Sequence, residues 1–373
     1  LPSSVLFVAL FLPPPVSDHI AAFWCLFIYM VWSFCFSMME VANLPLLAVV
    51  CGSEERNLLN TFKITSSIAA AMVSSYLTFK LVAFFGNGSE KMGFFVTTVI
   101  FAVIVLLTSA LGAKNVTEKY ELSENTLSFG ATMSAIFRNK QLVFLYLMLI
   151  CEQMAASVKL QATVYYFKYY IGRMDVISIF FLVGALCSFL AQPLIFWASR
   201  RFRMSHLMIG GYLCEALGMS VIWFSGKNLT TVFAGNVLYG ISSAFPSNLV
   251  YIYAAELSDK LSECDRGSFG GVVNSLLHVS SKIGYALAGS SVAFIMYLTS
   301  YVPDANQTAT SLLGIKICAV AMTLAISLLS GLFAFLSFSS DPLKNGPPSM
   351  GRQKKNGGPG DWSPGGCGRS PRS

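Results

Sequence analysis

The chain has 373 residues, of which 55% are hydrophobic and only 12% charged, with a net charge of +7. An ordinary soluble domain carries about a quarter charged residues, so this composition excludes a soluble enzyme and points to a chain solvated largely by lipid. The positive balance sits in loops and in the tail rather than in one basic stripe, which argues against a nucleic-acid partner.

A helix needs about 20 apolar residues to cross the roughly 30 Å hydrocarbon core. The chain opens Leu-Pro-Ser-Ser, with no basic leader and cleavage site. Its first apolar piece, Val5 to Leu12, stops at Pro13-Pro14-Pro15 and reads as the end of a helix whose start is missing, so a truncated N-terminus is expected. Full spans are predicted over Ala21–Val50, Ile64–Phe85 and Gly93–Leu111. The polar stretch Gly112–Lys140 follows, and after it come Leu142–Tyr166, Val176–Trp197, Leu207–Phe224, Val232–Ala255, Val272–Leu298 and Leu312–Phe338. Asp341–Ser373 is rich in Gly, Pro, Ser, Lys and Arg, with Trp362 its one aromatic residue. Such a segment buries too little apolar surface to fold. It is either a disordered tail or the product of an altered reading frame or splice end.

Nine cysteines are scattered without a C-x-x-C pair or a histidine spacing that suggests zinc. They read as small buried hydrophobes, and no metal site is expected.

Basic residues in short loops set orientation. If Ala21–Val50 ends in the cytoplasm, the cytoplasmic loops hold Arg56, Lys63, Lys114, Lys119, Arg138, Lys140, Arg200, Arg201, Arg203, Lys260 and Arg266. The outer loops then hold Lys91, Lys168, Arg173 and Lys227, with Lys80 near the outer end of its span. Glycosylation sequons at Asn87, Asn228 and Asn306 fall outside in this arrangement, and the one at Asn115 falls inside. The linker and the C-terminus are therefore expected in the cytoplasm of a plasma or internal membrane.

The polar stretch divides the chain into an N-terminal helical half (residues 1–111), a cytoplasmic linker (112–140), a six-helix half (141–338) and a disordered cytoplasmic tail (339–373). Six spans follow the linker; three complete spans and one fragment precede it. Two six-helix halves with their first helices lost from the front give this pattern, which is the layout of major facilitator transporters. The fold class expected is all-α and integral to the membrane, with about ten of twelve transmembrane helices present.

Phe36-Ser-Met-Met-Glu40-Val, with an aromatic one turn before an acid, leads into Glu55-Arg56 and Lys63. Further on stand Tyr165-Tyr-Phe-Lys-Tyr-Tyr-Ile-Gly172, then Ala255-Glu256-Leu-Ser-Asp259, then Arg266, Gly271 and Lys282. In order and spacing this series resembles the glycoside–pentoside–hexuronide:cation symporters of the major facilitator superfamily, the family of melibiose permease, over Leu1 to about Phe338. The resemblance implies coupled sugar transport. The family's paired aspartates on the second helix have no counterpart here. Glu40 stands where an aspartate is usual, Pro45 lies later than the family's proline, Gly270 is near an acid's place, and Lys63 replaces an arginine.

Ionisable groups inside a span cost roughly 2.5 kcal/mol or more at its centre and usually face a cavity or a partner. Glu40 is the candidate cation or proton site, since a carboxylate is a hard oxygen ligand that also accepts a proton; its plainer role is a structural hydrogen bond. Lys282, mid-span after Ser280-Ser281, is the candidate charge partner, and the alternative is a lysine snorkelling to an interface. Glu152 and Lys159, two turns apart on one helix face, are pathway candidates; otherwise Lys159 is solvated near the outer end. Glu215 and Lys316 read as structural or interfacial. Trp32 is a pathway candidate that could stack on a sugar face, against ordinary packing. Arg56, Lys63, Arg200, Arg201, Glu256, Asp259 and Arg266 are candidates for cytoplasmic contacts that change with conformation, although the plain reading of Arg200-Arg-Phe-Arg203 is a positive-inside anchor. The Tyr165–Tyr170 cluster reads as an interfacial aromatic belt.

Only three histidines occur, and no phosphate-binding G-x-x-x-x-G-K-[ST] loop or catalytic constellation is present. The expectation is a monomeric secondary transporter of a small solute, without a cofactor, coupled to H+ or Na+ and embedded in the bilayer. Its rivals are a lysolipid carrier of the same fold, a receptor-like membrane protein and an inactive fragment.

Overall fold

The computed structural model describes residues 2–12, 17–43, 53–86, 89–115, 129–265 and 270–340. Every regular element among them is helical. They are α1 (Pro2–Leu10), α2 (Asp18–Asn43), α3 (Ser53–Gly86), α4 (Glu90–Asn115), α5 (Phe129–Arg138), α6 (Lys140–Tyr165), α7 (Ile177–Ser199), α8 (Met204–Phe224), α9 (Leu229–Asp265), α10 (Gly270–Leu298), α11 (Ala309–Lys316) and α12 (Thr323–Ser339). A π-helical turn, Tyr166–Ile171, extends α6, and another, Ile317–Met322, joins α11 to α12 in one continuous span.

Eight of these described helical segments are long and apolar enough to cross a membrane. Helix α9 is longer than any of them, at 37 residues, but Asn236, Ser242, Ser243, Ser247 and Asn248 lower its apolarity. With α9 and the short α1, this makes about ten membrane segments among the described residues. The chain is a multi-pass membrane protein of helical architecture.

By packing, the chain divides into two compact units: Leu1–Glu124 with Arg173–Phe189, and Asn125–Gly172 with Leu190–Ser373. In the first unit, α1 packs on α2 and α4, and α3 packs on α4. Gly93 makes the α3–α4 approach possible, because a Cβ there would collide with the carbonyl oxygen of Val82. Trp32 sits in an aromatic ladder, stacked on Phe7 at 5.8 Å and on Phe36 at 5.5 Å between ring centroids.

The second unit is built around α6. This helix packs against α9, α10 and α12, while α8 packs against α9 and α12. Its core joins Leu142, Leu145, Met148 and Leu149 of α6 to Met208 and Tyr212 of α8, Leu249 and Tyr253 of α9, and Val273 and Leu277 of α10. The crossing of α8 and α9 depends on two facing glycines. A Cβ on Gly218 would lie 2.9 Å from the carbonyl oxygen of Gly235, and a Cβ on Gly235 would lie 2.7 Å from that of Gly218. Small residues of this kind let membrane helices meet along their backbones.

The polar stretch expected as linker holds α5, whose Ile136 is fully buried in the core of the second unit. Asn139 then caps α6, its side-chain oxygen accepting from the backbone N–H groups of Gln141 and Leu142.

Candidate functional site

Seven polar residues meet inside the second unit, contributed by α6, α8, α9 and α12. Helix α6 places Glu152 and Lys159 two turns apart, straddling the midpoint of the Lys140–Ile171 span. Helix α8 presents Tyr212 and Glu215 three residues apart, hence on one face. Helix α9 presents Asn236 and Tyr239 at the same spacing, and α12 contributes Ser327.

Three hydrogen bonds tie the helices together. The Tyr212 hydroxyl donates to Glu152 Oε2 at 2.9 Å, linking α8 to α6. The Ser327 hydroxyl donates to Glu215 Oε2 at 2.9 Å, linking α12 to α8. The Lys159 ammonium donates to Asn236 Oδ1 at 2.9 Å, linking α6 to α9, and lies 3.6 Å from the centroid of the Tyr239 ring. A ring face is attractive to a desolvated ammonium.

The cluster is shut off from water. Glu152 is 8% exposed, Glu215 3%, Tyr212 1% and Ser327 0%. Lys159 is half-buried and is the most accessible of the ionisable members. Glu215 lies within electrostatic range of both Glu152 and Lys159. Two carboxylates therefore share this interior with one ammonium. A buried carboxylate is retained only when hydrogen bonds and countercharges offset its lost hydration, and each of these two has one hydroxyl donor aimed at it. Chemically, the arrangement can bind and release a small cation or a proton, and it offers a solute both donors and acceptors.

The candidates named from sequence divide accordingly. Glu152 and Lys159 both belong to this cluster, although each has its own partner. Glu215 also belongs to it; its mid-span acid was read as structural because nothing in the sequence shows which helix it faces. Tyr212, Asn236, Tyr239 and Ser327 were missed. Their available signal was the i, i+3 pairing of Tyr212 with Glu215 and of Asn236 with Tyr239. Lys282 is half-buried on α10, which packs against α6. Glu40 lies on α2, and Arg56 and Lys63 on α3, but their side chains fall outside the described residues, as do that of Asp259 and the whole of Arg266 and Asn87. Glu256 is half-buried on α9.

Arg200 and Arg201 are exposed beyond the end of α7. Their guanidinium groups lie 4.1 Å from the Phe196 ring and 5.5 Å from the Trp197 ring, respectively. Asn228 and Asn306 are exposed in connecting segments, and the Asn228 side chain accepts from the Thr230 N–H at the start of α9. The tyrosines near the end of α6 do more than line an interface. Tyr169 accepts a hydrogen bond from Tyr301 at 3.1 Å and one from the Asp304 backbone N–H at 3.1 Å, beside a Lys168–Asp304 ion pair of 2.8 Å.

Comparison with known proteins agrees with this architecture. Residues 1–339 match the family described as MFS/sugar transport protein. The isoprimeverose transporter of Lactiplantibacillus pentosus is 24% identical over 85% of this chain and 67% of its own length. The uncharacterized symporter YjmB of Bacillus subtilis is 26% identical, over 88% of this chain and 73% of its own. A putative sulfoquinovose importer of Salmonella typhimurium is 29% identical over 61% of this chain and 49% of its own, so the chain spans about half to three quarters of these relatives.

Two solved structures share the fold. A bacterial homologue of the human lysosomal transporter Spinster, in an inward-facing conformation, superposes with a TM-score of 0.64 at 15% identity, over 91% of this chain and 81% of that one. The major facilitator transporter FucP, in its outward conformation, gives 0.54 at 13% identity over 88% and 81%. With a family match over nine-tenths of its length, this chain belongs to the MFS/sugar transport family, a family of membrane transporters rather than of enzymes.

Proposed function

We propose that the protein moves a small, sugar-like solute across its membrane together with a proton or another cation, by alternating access. The observation that carries this reading is the Glu152–Glu215–Lys159 cluster, buried mid-span in a chain of a transporter family. Charges are placed at such depth at a cost, and a coupled transporter needs groups there whose charge changes when an ion binds. The relatives support the solute class: one is named an isoprimeverose transporter and another a sulfoquinovose importer. Alternating access is a rocking of one helical half against the other around a site near the bilayer midplane. Residues 1–111 and 141–338 are the proposed halves.

Within this reading, Glu40 and Lys282 are the further coupling pair, by the residues' resemblance to the symporter family. Arg56, Lys63, Glu256, Asp259 and Arg266 form contacts that exchange at the cytoplasmic side, and Arg200 and Arg201 anchor the end of α7. The linker and the C-terminus lie in the cytoplasm. Expression in a glycosylating membrane tests that orientation: Asn228→Gln and Asn306→Gln each remove a glycan and speed migration, whereas Asn115→Gln changes nothing. A glycan on Asn115 reverses the topology.

Uptake by the full-length protein tests the function. Cells expressing it are offered labelled sugars and lysolipids, with and without proton and sodium gradients. Gradient-dependent sugar uptake supports the proposal. Lysolipid uptake keeps the mechanism and replaces the solute. No uptake of either class by protein at the membrane refutes the proposal.

A further inference from the structure

We infer that the coupling ion is a proton, and that it is held by the Glu152–Glu215 pair of the second unit. The inference deepens the symport reading above and rests on it for its role in transport. It is argued from the groups that surround the two acids.

Charge balance comes first. Glu215 faces Glu152 and Lys159 across α6, Tyr239 from α9 and Ser327 from α12. Glu152 faces Tyr212 and Glu215 from α8, and Cys151 is beside it on α6. Helix α10, which also packs on α6, carries Lys282. The charge that acts on Glu215 is thus one carboxylate and one ammonium, while the group touching Glu152 is a neutral phenol. With both acids ionised and one ammonium between them, an unbalanced negative charge remains in a site almost closed to water. One bound proton removes it, and the binding step is simple: a carboxylate takes up a proton and becomes a carboxylic acid.

The identity of the neighbours comes second. A metal cation is bound by converging oxygen lone pairs. Here the side chains that hydrogen-bond to the acids, the Tyr212 and Ser327 hydroxyls, donate to them, and Lys159, bonded to Asn236 Oδ1, acts on Glu215 through its charge. A surround of donors suits a carboxylate that alternates between ionised and protonated forms, since the hydroxyl can also turn and accept from the acid's own O–H. Lys159 couples the pair to the solute. It is the most accessible ionisable member, and protonating Glu215 removes a negative charge within its range, which leaves the ammonium, still held by Asn236 and the Tyr239 ring, freer to engage a solute.

Infrared spectroscopy of the purified full-length protein tests proton binding without any solute. Titration in sodium-free buffer is expected to show a high-frequency C=O band of a buried carboxylic acid. The band weakens in Glu215→Gln and in Glu152→Gln, and it is unmoved by added sodium. Ser327→Ala keeps the carboxylate and shifts the band, which serves if a glutamine variant folds poorly. A band unchanged in all three variants overturns the inference, as does a band that sodium abolishes at fixed pH. Transport supplies the second arm. In Glu215→Gln, accumulation driven by a pH gradient is lost. Accumulation driven by sodium alone in the wild-type protein overturns the proton assignment and leaves symport standing. A wild-type protein that moves no solute refutes the symport reading, and the infrared result still decides whether the pair binds a proton.

Discussion

Replacing Tyr212 with phenylalanine removes one oxygen atom and almost no volume, so it isolates the bond between α8 and α6. The hydroxyl donates to Glu152 Oε2 at 2.9 Å, and the two residues are 1% and 8% exposed, so water does not take the donor's place. Leaving a buried polar group without its partner costs about 1–3 kcal/mol. Each kcal/mol moves the melting midpoint of a domain of roughly 150–250 residues by about 2–4 °C, so Tyr212→Phe should lower the midpoint in detergent by roughly 2–12 °C. The decisive version is a double-mutant cycle. In a Glu152→Met background the phenol has lost its acceptor, and Tyr212→Phe there should be neutral or stabilising. An equal loss in both backgrounds would show that the Tyr212–Glu152 bond carries no energy and that the cluster is not organised as described.

Three further outcomes follow from the packing and the ion pairs. Gly218→Leu and Gly235→Leu each put a Cβ within 3.0 Å of a backbone oxygen on the facing helix. Overpacking of this kind costs about 1–3 kcal/mol, and wild-type melting behaviour in either variant would rule out the close α8–α9 crossing. Ile136→Ala, at 0% exposure, should cost about 2–5 kcal/mol. Phe137→Ala, at 60% exposure, should change stability by no more than about 0.5 kcal/mol in either direction, and equal effects would place α5 away from the core. The hydrogen bond from Lys168, followed by its charge, holds the Asp304 carboxyl below its ordinary value. The pair therefore contributes fully above about pH 4, the usual aspartate value, and its contribution is lost as pH falls through the lowered one. Hydrogen exchange in the 299–308 loop should quicken on that acidification in the wild-type protein and be insensitive to it in Asp304→Asn.

The membrane helices were legible because apolar runs and their breakers are local properties of the chain. Leu207–Phe224 and Val272–Leu298 were predicted to within a few residues of α8 and α10. Helix α9 runs on to Asp265, beyond the expected Ala255, because the polar turns of Glu256 to Asp265 remain helical although they are unsuited to lipid. Helix α5 was hidden in a polar segment; among its described side chains Ile136 is buried and Ala135 packs partly buried beside it, too little to stand out. The π-helical turns leave no sequence signature at all.

The site was legible in part for a different reason. Glu152 and Lys159 declared themselves by the cost of charge in a span. Glu215 did so as well, but its significance depends on facing α6, which no local pattern encodes. Ser327 and Asn236 are common polar residues in membrane helices, where they usually bond to their own backbone. Only the arrangement of four helices shows that their side chains meet Glu215 and Lys159.

The central claim is coupled transport, and concentrative uptake tests it most directly. Proteoliposomes containing the full-length protein and no internal solute would be given a labelled pentose or hexose glycoside under an imposed pH gradient. The account predicts an internal concentration that rises above the external one and returns to equality when a protonophore is added. Exchange of the glycoside that never exceeds equality, under a proton gradient or a sodium gradient, would contradict it.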